Sequence, residues 1–304
     1  MKNKEGNNIE GSTIETETSE YQGEIMSVAT KDVISIAKTT PIIKASELMV
    51  KNKIRRLPIV DSGSKKILGI ITSMDILDFL GGGEKFKIME KRYGGNFLSA
   101  INKPVKEIMT SNVTCVTPKS TIKDSISKMI ANNVGALPIV DNDNKLVGII
   151  TEQDFVTLLS GLITNELVED IMTTDVITST PGTPIESVSK IMVRNSLRRL
   201  PIVGADETSQ KPKLMGIMTS TDILRYLGES EIFSKLESTN ALEALSGAAE
   251  EIMSTDLMTT EPKVRVGAAC AEMTEKGIGG LPVVKNDEVI GIITERDVLR
   301  IVAP

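Results

Sequence analysis

Four copies of one sequence pattern recur along this chain, and they constrain its fold more than any other feature. Each copy has an apolar Leu-Pro-Ile-Val or Leu-Pro-Val-Val run, then a polar loop, then a Gly-Ile-x-Thr-x-x-Asp segment. The prolines that mark the copies are Pro58, Pro138, Pro201 and Pro282. Recurrence of this kind predicts repeated supersecondary units that bury a continuous core only by packing against one another.

Every copy predicts the same order of strands and helices. A short β-like segment, such as residues 32–36, precedes an amphipathic stretch whose apolar side chains Ile42, Ala45 and Met49 recur at helical spacing. The Leu-Pro-Ile-Val and Gly-Ile-Ile-Thr runs are rich in β-branched residues and predict two buried strands. A second helix follows the threonine. The predicted unit is therefore β-α-β-β-α, and the fold class is α/β (α+β).

The repeats are predicted to form two modules of two repeats each. The intervals between successive prolines are long, short and long, and repeats one and three share an Arg-Arg-Leu-Pro segment that repeats two and four lack. An acidic, Ser- and Thr-rich leader has no apolar periodicity and is expected to be disordered. The predicted boundaries are a tail at 1–24, repeats at 25–80, 108–160, 161–227 and 252–304, and connectors at 81–107 and 228–251.

Composition removes several classes of function. The chain has no histidine, so the commonest general base and metal ligand is missing, and neither an enzyme nor a metal site is predicted. A net charge of −6 argues against a nucleic-acid partner. Two cysteines, Cys115 and Cys270, are too few for a disulfide framework. The sequence shows no signal-peptide pattern and no apolar run long enough to span a membrane. We therefore expect a cytoplasmic protein with no membrane partner and inert thiols.

The pattern resembles the CBS domain, and each predicted pair of repeats resembles a Bateman module. The resemblance covers residues 25 to about 303. The four repeats, the Arg-Arg-Leu-Pro segments and the Gly-Gly-Gly connector are similar to archaeal proteins related to the gamma subunit of AMP-activated protein kinase. The resemblance implies two clefts per module, a disc-like assembly of two modules, and an adenosine ligand. That ligand is AMP, ADP, ATP or, in some members, S-adenosylmethionine; the choice among the three nucleotides stays open, because the histidines that the kinase subunit places near its phosphates are missing.

The Thr-x-x-Asp segments support two interpretations. A threonine followed three residues later by an acid is typical of a helix N-cap, which needs no ligand. The resemblance implies instead that the aspartate binds both ribose hydroxyls while the threonine and helix amides face a phosphate. Both roles can coexist. The predicted residues are Thr72 and Asp75, Thr151 and Asp154, Thr219 and Asp222, and Thr294 and Asp297.

The adjacent arginines and the first strand complete the predicted site. Arginines before Leu-Pro are either a solvated helix end or, as the resemblance implies, phosphate ligands. Four methionines at one helical position, Met49, Met129, Met192 and Met273, are predicted to pack in the core. The predicted phosphate ligands are Arg55, Arg56, Arg198 and Arg199. The predicted adenine wall is Ile34, Thr114, Ile177 and Met258.

The leading hypothesis is a non-catalytic sensor of adenine nucleotides that uses no catalytic cofactor and signals to an unidentified protein partner. A homodimer is an open alternative for its assembly. The competing hypotheses are a scaffold or nucleic-acid-binding protein with empty clefts and a sensor of S-adenosylmethionine.

Overall fold

A computed structural model describes residues 24–160, 165–205, 212–228, 243 and 245–302. The predicted tail lies outside the described residues except for Glu24, as does most of the second connector. Within the described parts of the chain, no helix is long and apolar enough to cross a bilayer.

The first module contains five strands and six α-helices, which follow the predicted order in each repeat. The strands are β1 (Ile36–Ala37), β2 (Arg56–Val60), β3 (Ile67–Thr72), β4 (Ala136–Val140) and β5 (Leu146–Thr151). The helices are α1 (Ile42–Lys51), α2 (Ser73–Leu77), α3 (Phe86–Tyr93), α4 (Phe97–Ile101), α5 (Ile122–Ala131) and α6 (Glu152–Leu159).

The described part of the second module repeats this order. Its strands are β6 (Arg199–Ala205), β7 (Pro212–Thr219), β8 (Gly280–Lys285) and β9 (Glu288–Thr294). Its helices are α7 (Val168–Ile171), α8 (Ile185–Arg194), α9 (Ser220–Gly228), α10 (Val266–Lys276) and α11 (Glu295–Val302). The sheets have the orders β1-β2-β3, β4-β5 and β6-β7-β9-β8.

The first strand of each repeat is shorter than predicted. The proline of each Leu-Pro run ends the ladder of hydrogen bonds between this strand and its parallel neighbour. In repeat two, Val116 donates its N–H to the carbonyl of Pro138, and Val140 donates to the carbonyl of Val116. The next bond of this parallel ladder would need an N–H on Pro138, and proline has none. Equivalent single bridges occur at Ser179 and Thr260, and repeat one has only the two-residue strand β1.

Each repeat completes the sheet of its partner in the same module. Ile70 and Thr110 exchange two backbone hydrogen bonds, both of 2.9 Å, so the start of repeat two pairs with β3 of repeat one. Thr30 pairs in return with Ile149 of repeat two. The second module has the same reciprocal pairing, Thr173 with Ile292 and Ser254 with Ile217. This exchange pairs repeats one with two and three with four, as the proline intervals predict.

The two modules share their hydrophobic cores. Helices α1 and α2 of repeat one pack against α9 of repeat three, and α6 of repeat two packs against α10 and α11 of repeat four. One cluster therefore contains core residues of repeats one and three, and a second contains those of repeats two and four. The four predicted core methionines are all buried, at 0–1% exposure: Met49, Met129, Met192 and Met273.

The first connector is not the flexible glycine link that its composition suggests. Helix α2 continues through a π-helical turn, Asp78–Gly82, in which Gly81 has a φ of 142° that favours glycine. Helices α3 and α4 follow, and they bury Met89, Phe97 and Ile101 in the core of repeats one and three. Apolar burial of these side chains offsets the entropy cost of ordering the segment.

The glycine of each Gly-Ile-x-Thr strand gives room to the partner repeat, and substitution tests this contact. A Cβ at Gly216 would lie 2.5 Å from Met253 Sδ and 3.1 Å from the Ser254 carbonyl oxygen. We expect Gly216→Ala to lower the free energy of unfolding by about 1–3 kcal/mol, the usual cost of overpacking. Denaturant unfolding measures this. Gly182→Ala is the control, because no atom lies within 4 Å of its Cβ position, and equal losses would contradict the contact.

Candidate functional site

All four motif aspartates are fixed by their own helix start. In Asp75, Oδ2 accepts the Thr72 N–H at 2.7 Å and the Thr72 hydroxyl at 2.6 Å. The same two bonds reach Oδ2 of the other motif aspartates, at 2.6–2.9 Å: Asp154, Asp222 and Asp297. The N-cap interpretation is therefore correct for one carboxylate oxygen. It leaves the second oxygen, Oδ1, available for another role.

The four Oδ1 atoms have different surroundings. Asp222 Oδ1 lies 3.1 Å from Arg225 Nη1, and Asp297 Oδ1 lies 3.3 Å from Arg300 Nη1. Asp75 Oδ1 contacts the Lys85 ammonium. Asp154 Oδ1 has no hydrogen-bond partner among the described residues. Burial raises the pKa of Asp154 above its usual value, and the two Thr151 hydrogen bonds only partly oppose this rise.

We name each cleft by its aspartate, and the Asp154 cleft brings the predicted residues of two repeats together. A cavity of about 240 Å³ is lined by Asp154 and Thr151 of repeat two and by Ile34, Arg55 and Arg56 of repeat one. This volume is slightly below the usual range of ligand pockets, about 300–1,000 Å³. The predicted wall, ribose and phosphate residues thus line one cavity.

A second cavity, of about 740 Å³, joins the Asp75 and Asp297 clefts at the centre of the molecule. Thr114 lies in it beside the Asp75 cleft, and Ile177 lies in it beside the Asp297 cleft. Arg198 and Arg199 also line it. The predicted residues that line neither cavity are Thr219, Asp222 and Met258; Met258 is half-buried against the core of repeats two and four.

Two buried glutamates join the modules at this centre. Glu152 Oε2 accepts from Arg198 Nη1 at 2.5 Å, and Glu152 Oε1 accepts from Arg296 Nε at 2.7 Å. Glu295 Oε1 lies 3.5 Å from Arg55 Nη2. Each pair links one module to the other. We call this set the arginine centre: Arg55, Arg56, Arg198, Arg199, Arg296, Glu152 and Glu295.

Sequence reasoning missed both glutamates, although a signal was present. Each directly follows the motif threonine, in the Thr-Glu segments of repeats two and four, whereas repeats one and three have Ser73 and Ser220 there. Those two serines hydrogen-bond to each other at 2.9 Å across the modules. Repeats two and four carry the glutamates, and repeats one and three carry the arginine pairs. This complementary distribution could have indicated that the two sets of side chains meet.

Positive charge exceeds negative charge in the arginine centre. Burial alone would raise the pKa of Glu152, but Arg198 and Arg296 outweigh it and lower that pKa to about 2. Burial, with Arg198 and Arg55 nearby, lowers the pKa of Arg56 to about 9. The pKa of Arg199 falls to about 10, through burial and Arg55. Five guanidinium groups thus share two carboxylates, so an anion in the cavity would stabilise this centre.

Glycine in repeats two and four makes room for the arginines of repeats one and three. A Cβ at Gly279 would lie 2.5 Å from Arg199 Nη2, and one at Gly135 would overlap the Arg198 guanidinium. Arg198 belongs to the second module, whereas Gly135 belongs to the first. The glycines of repeats two and four therefore leave room for arginines of repeats one and three, in one case across the module interface.

The two thiols are not part of the site. Burial raises the pKa of Cys115 and raises that of Cys270 to about 11, so neither is activated as a thiolate. Among the residues that the structure describes, no group of three or more cysteine or carboxylate side chains is placed to hold a metal ion.

The family model of the CBS domain matches four segments of the chain, 24–82, 105–161, 168–229 and 249–304. The chain belongs to the CBS-domain family. It is 41% identical to protein MJ1225 of Methanocaldococcus jannaschii over 279 residues, which are 91% of this chain and 98% of that protein. The crystal structure of MJ1225, described as a proposed archaeal homologue of g-AMPK, covers 92% of this chain with a TM-score of 0.86.

Two further relatives extend this similarity. A 33.4 kDa protein from the ribosomal RNA operon of Thermofilum pendens is 29% identical over 264 residues, 87% of this chain and 86% of that protein. A protein of Pyrococcus horikoshii has the same fold at 20% identity and a TM-score of 0.59, covering 92% of this chain and 99% of that one.

Removal of the Glu152 charge tests the arginine centre. We expect Glu152→Gln to lower the free energy of unfolding by about 3 kcal/mol at neutral pH, because Arg198 and Arg296 would lose their buried partner. The depressed pKa of Glu152 stabilises the fold above about pH 4.5, and this contribution is lost as the pH falls towards about 2. Thermal unfolding across this range should show a larger loss of stability in the wild type than in Glu152→Gln, because other carboxylates titrate in both proteins.

Glu295→Gln is the matched control, because Glu295 Oε1 has no hydrogen bond and its nearest charged partner, Arg55, lies 3.5 Å away. We expect a smaller loss of stability for this variant. Equal losses would show that the Glu152 contacts do not stabilise the module interface.

Proposed function

We propose that this protein is a non-catalytic sensor that binds adenine nucleotides in clefts between paired CBS repeats and signals to a partner protein. The observation that carries the proposal is the Asp154 cleft. One oxygen of the half-buried Asp154 carboxylate is fixed there, and the other has no partner within the described residues. Arginines of the paired repeat line the same cavity.

The Asp154 carboxylate is prepared for a ribose diol. The two bonds from Thr151 fix its plane, so Oδ1 points to one place in the cleft. Two hydroxyls that donate to this group would restore the hydrogen bonds that burial removed, and such charge-assisted bonds are stronger than neutral ones. Ile34 lies in the same cavity and offers an apolar surface to a base.

The arginine centre is suited to phosphate. A guanidinium binds phosphate oxygens through two parallel hydrogen bonds. Burial and neighbouring arginines lower the pKa values of Arg56 and Arg199 despite the nearby glutamates, so a phosphate would stabilise both charged groups. Arg55 and Arg56 line both cavities, and Arg198 and Arg199 line the cavity shared by the Asp75 and Asp297 clefts. We therefore propose AMP, ADP or ATP as the ligand class.

Signalling follows from competition at the same centre. Glu152 and Glu295 bind arginines of the opposite module, and a phosphate would compete with both carboxylates for those arginines. A ligand that binds one arrangement of the modules better than another shifts the population between them. A partner protein that contacts both modules would detect this change.

Substitution of Asp154 tests the ribose contact. We expect Asp154→Asn to weaken AMP binding at the Asp154 cleft by about tenfold or more, the usual effect of losing a charge-assisted hydrogen bond. Isothermal titration calorimetry with AMP, ADP, ATP and S-adenosylmethionine measures this.

The control is Asp124→Asn. Asp124 follows Thr121 by three residues and also accompanies a threonine N-cap, but it lies exposed at the start of α5, away from every cleft. The affinity of Asp124→Asn for AMP should match that of the wild type. Equal effects of the two variants would reduce the motif to a helix cap, and the absence of binding by all four compounds would refute the proposed function.

Substitution of Arg56 tests the phosphate contact. We expect Arg56→Ala to weaken ATP binding more than adenosine binding, by about tenfold or more. Competition binding with adenosine, AMP and ATP measures how the affinities for the three compounds change relative to one another. Arg92→Ala is the control, since Arg92 is an exposed surface arginine near Glu107. Equal losses for adenosine and ATP would show that Arg56 does not contact phosphate.

A further inference from the structure

In the Asp75 cleft, a side chain of the protein itself pairs with the motif aspartate. Lys85 places its ammonium against Asp75 Oδ1, the atom whose counterpart in Asp154 has no partner among the described residues. The same ammonium donates to the Ile108 carbonyl oxygen at 2.7 Å. The Lys85 side chain is only 25% exposed. It therefore sits where a ribose diol would bind.

The cations near the other clefts differ from Lys85 in origin and exposure. Arg225 and Arg300 reach Asp222 and Asp297 from the next turn of the same helix, and their side chains are 53% and 62% exposed. Such surface ion pairs contribute little to stability, and the arginine side chains rotate into water at low cost. Lys85 comes from a separate segment, and its ammonium contacts both Asp75 and the Ile108 carbonyl oxygen.

The backbone holds Lys85 in this place. Gly81 adopts a φ of 142° and turns the chain back towards Asp75. The Lys85 N–H donates to Asp78 Oδ1 at 2.7 Å. A Cβ at Gly83 would lie 2.8 Å from Val193 Cγ1 of α8, so the turn also packs closely on the other module. The lysine is therefore positioned by a built turn rather than by a free surface loop.

The second module has a different residue at the corresponding sequence position. The segment from Leu80 to Phe86 has the same length as that from Leu227 to Phe233, and Ile232 stands where the first module has Lys85. The sequence of the second module therefore indicates which substitution to test, Lys85→Ile. A lysine is required neither by the length of this segment nor by its flanking leucine and phenylalanine.

We propose that Lys85 is an internal competitor of the adenosine ligand in the Asp75 cleft. Its ammonium and the ribose hydroxyls require the same carboxylate oxygen, so ligand binds there only when Lys85 leaves. This cleft is consequently at least about tenfold weaker for AMP than the Asp154 cleft. The inference rests on the proposed function and adds to it which cleft is closed and by which residue.

Calorimetric titration with AMP tests the competition in four proteins: the wild type, Lys85→Ile, Asp75→Asn and the double variant. Asp75→Asn alone tests whether this cleft contributes a tight site in the wild type. Lys85→Ile should gain one tight site or strengthen one at least tenfold, and the double variant should lose this gain. Arg300→Ala is the control for removing an exposed cation near a motif aspartate, and it should gain no site.

Chemical modification gives a second readout that does not depend on a variant. Lys85 should react slowly with an amine-acetylating reagent in the free protein and faster when millimolar AMP displaces it, as measured by peptide mass spectrometry. Lys85→Gln, which is polar and uncharged but one atom shorter than lysine, replaces Lys85→Ile if the latter lowers the melting temperature.

Two results would overturn the inference: loss of a tight site in Asp75→Asn alone, or no gain in Lys85→Ile and Lys85→Gln while the wild type binds AMP. If no variant bound any adenosine compound, the proposed function itself would fail, and the inference would fail with it. The two failures are therefore distinguishable.

Discussion

The backbone exchange between paired repeats is the interaction on which the rest of the structure depends. The opening segment of each repeat bonds to the Gly-Ile-x-Thr strand of its partner, as Thr110 does to Ile70. That strand ends at the motif threonine, so the exchange places one repeat's opening segment beside the other's aspartate. Every cleft is therefore built from two repeats, and an isolated repeat would have neither a complete sheet nor a complete cleft.

The module interface combines apolar packing with concentrated charge. Burial of apolar side chains in the shared cores stabilises the association of the two modules through the hydrophobic effect, which has no directional preference. The ion pairs set the register, because Glu152 must meet Arg198 and Gly135 must leave room for it. Burying charge is costly, and here the arginines exceed the acids, which leaves an electrostatic preference for an added anion.

Local patterns in the sequence predicted much of the fold, and non-local contacts account for most of what they missed. The four repeats, their pairing, the buried helix stripes and the helix start at each threonine follow from local residue types. The shortened first strand follows from Pro138 and its equivalents, so a stricter use of the missing N–H would have predicted it. The folded connector was signalled by Met89, Phe97 and Ile101. By contrast, the contacts of Glu152 and Lys85 join segments whose proximity depends on the tertiary fold.

A single chain frees the two modules from the symmetry that a dimer of identical modules would impose. Such a dimer places the same residue on both sides of its twofold axis. Here Gln153 and Arg296 occupy corresponding positions, and only Arg296 bonds to the glutamate of the opposite module. Glu295 Oε1, on the other side, is left without a hydrogen bond. The two halves therefore differ at corresponding positions while sharing both cores. Under the proposed function, clefts of unequal chemistry fill at different concentrations, so one molecule responds over a wider range than a symmetric dimer with as many clefts.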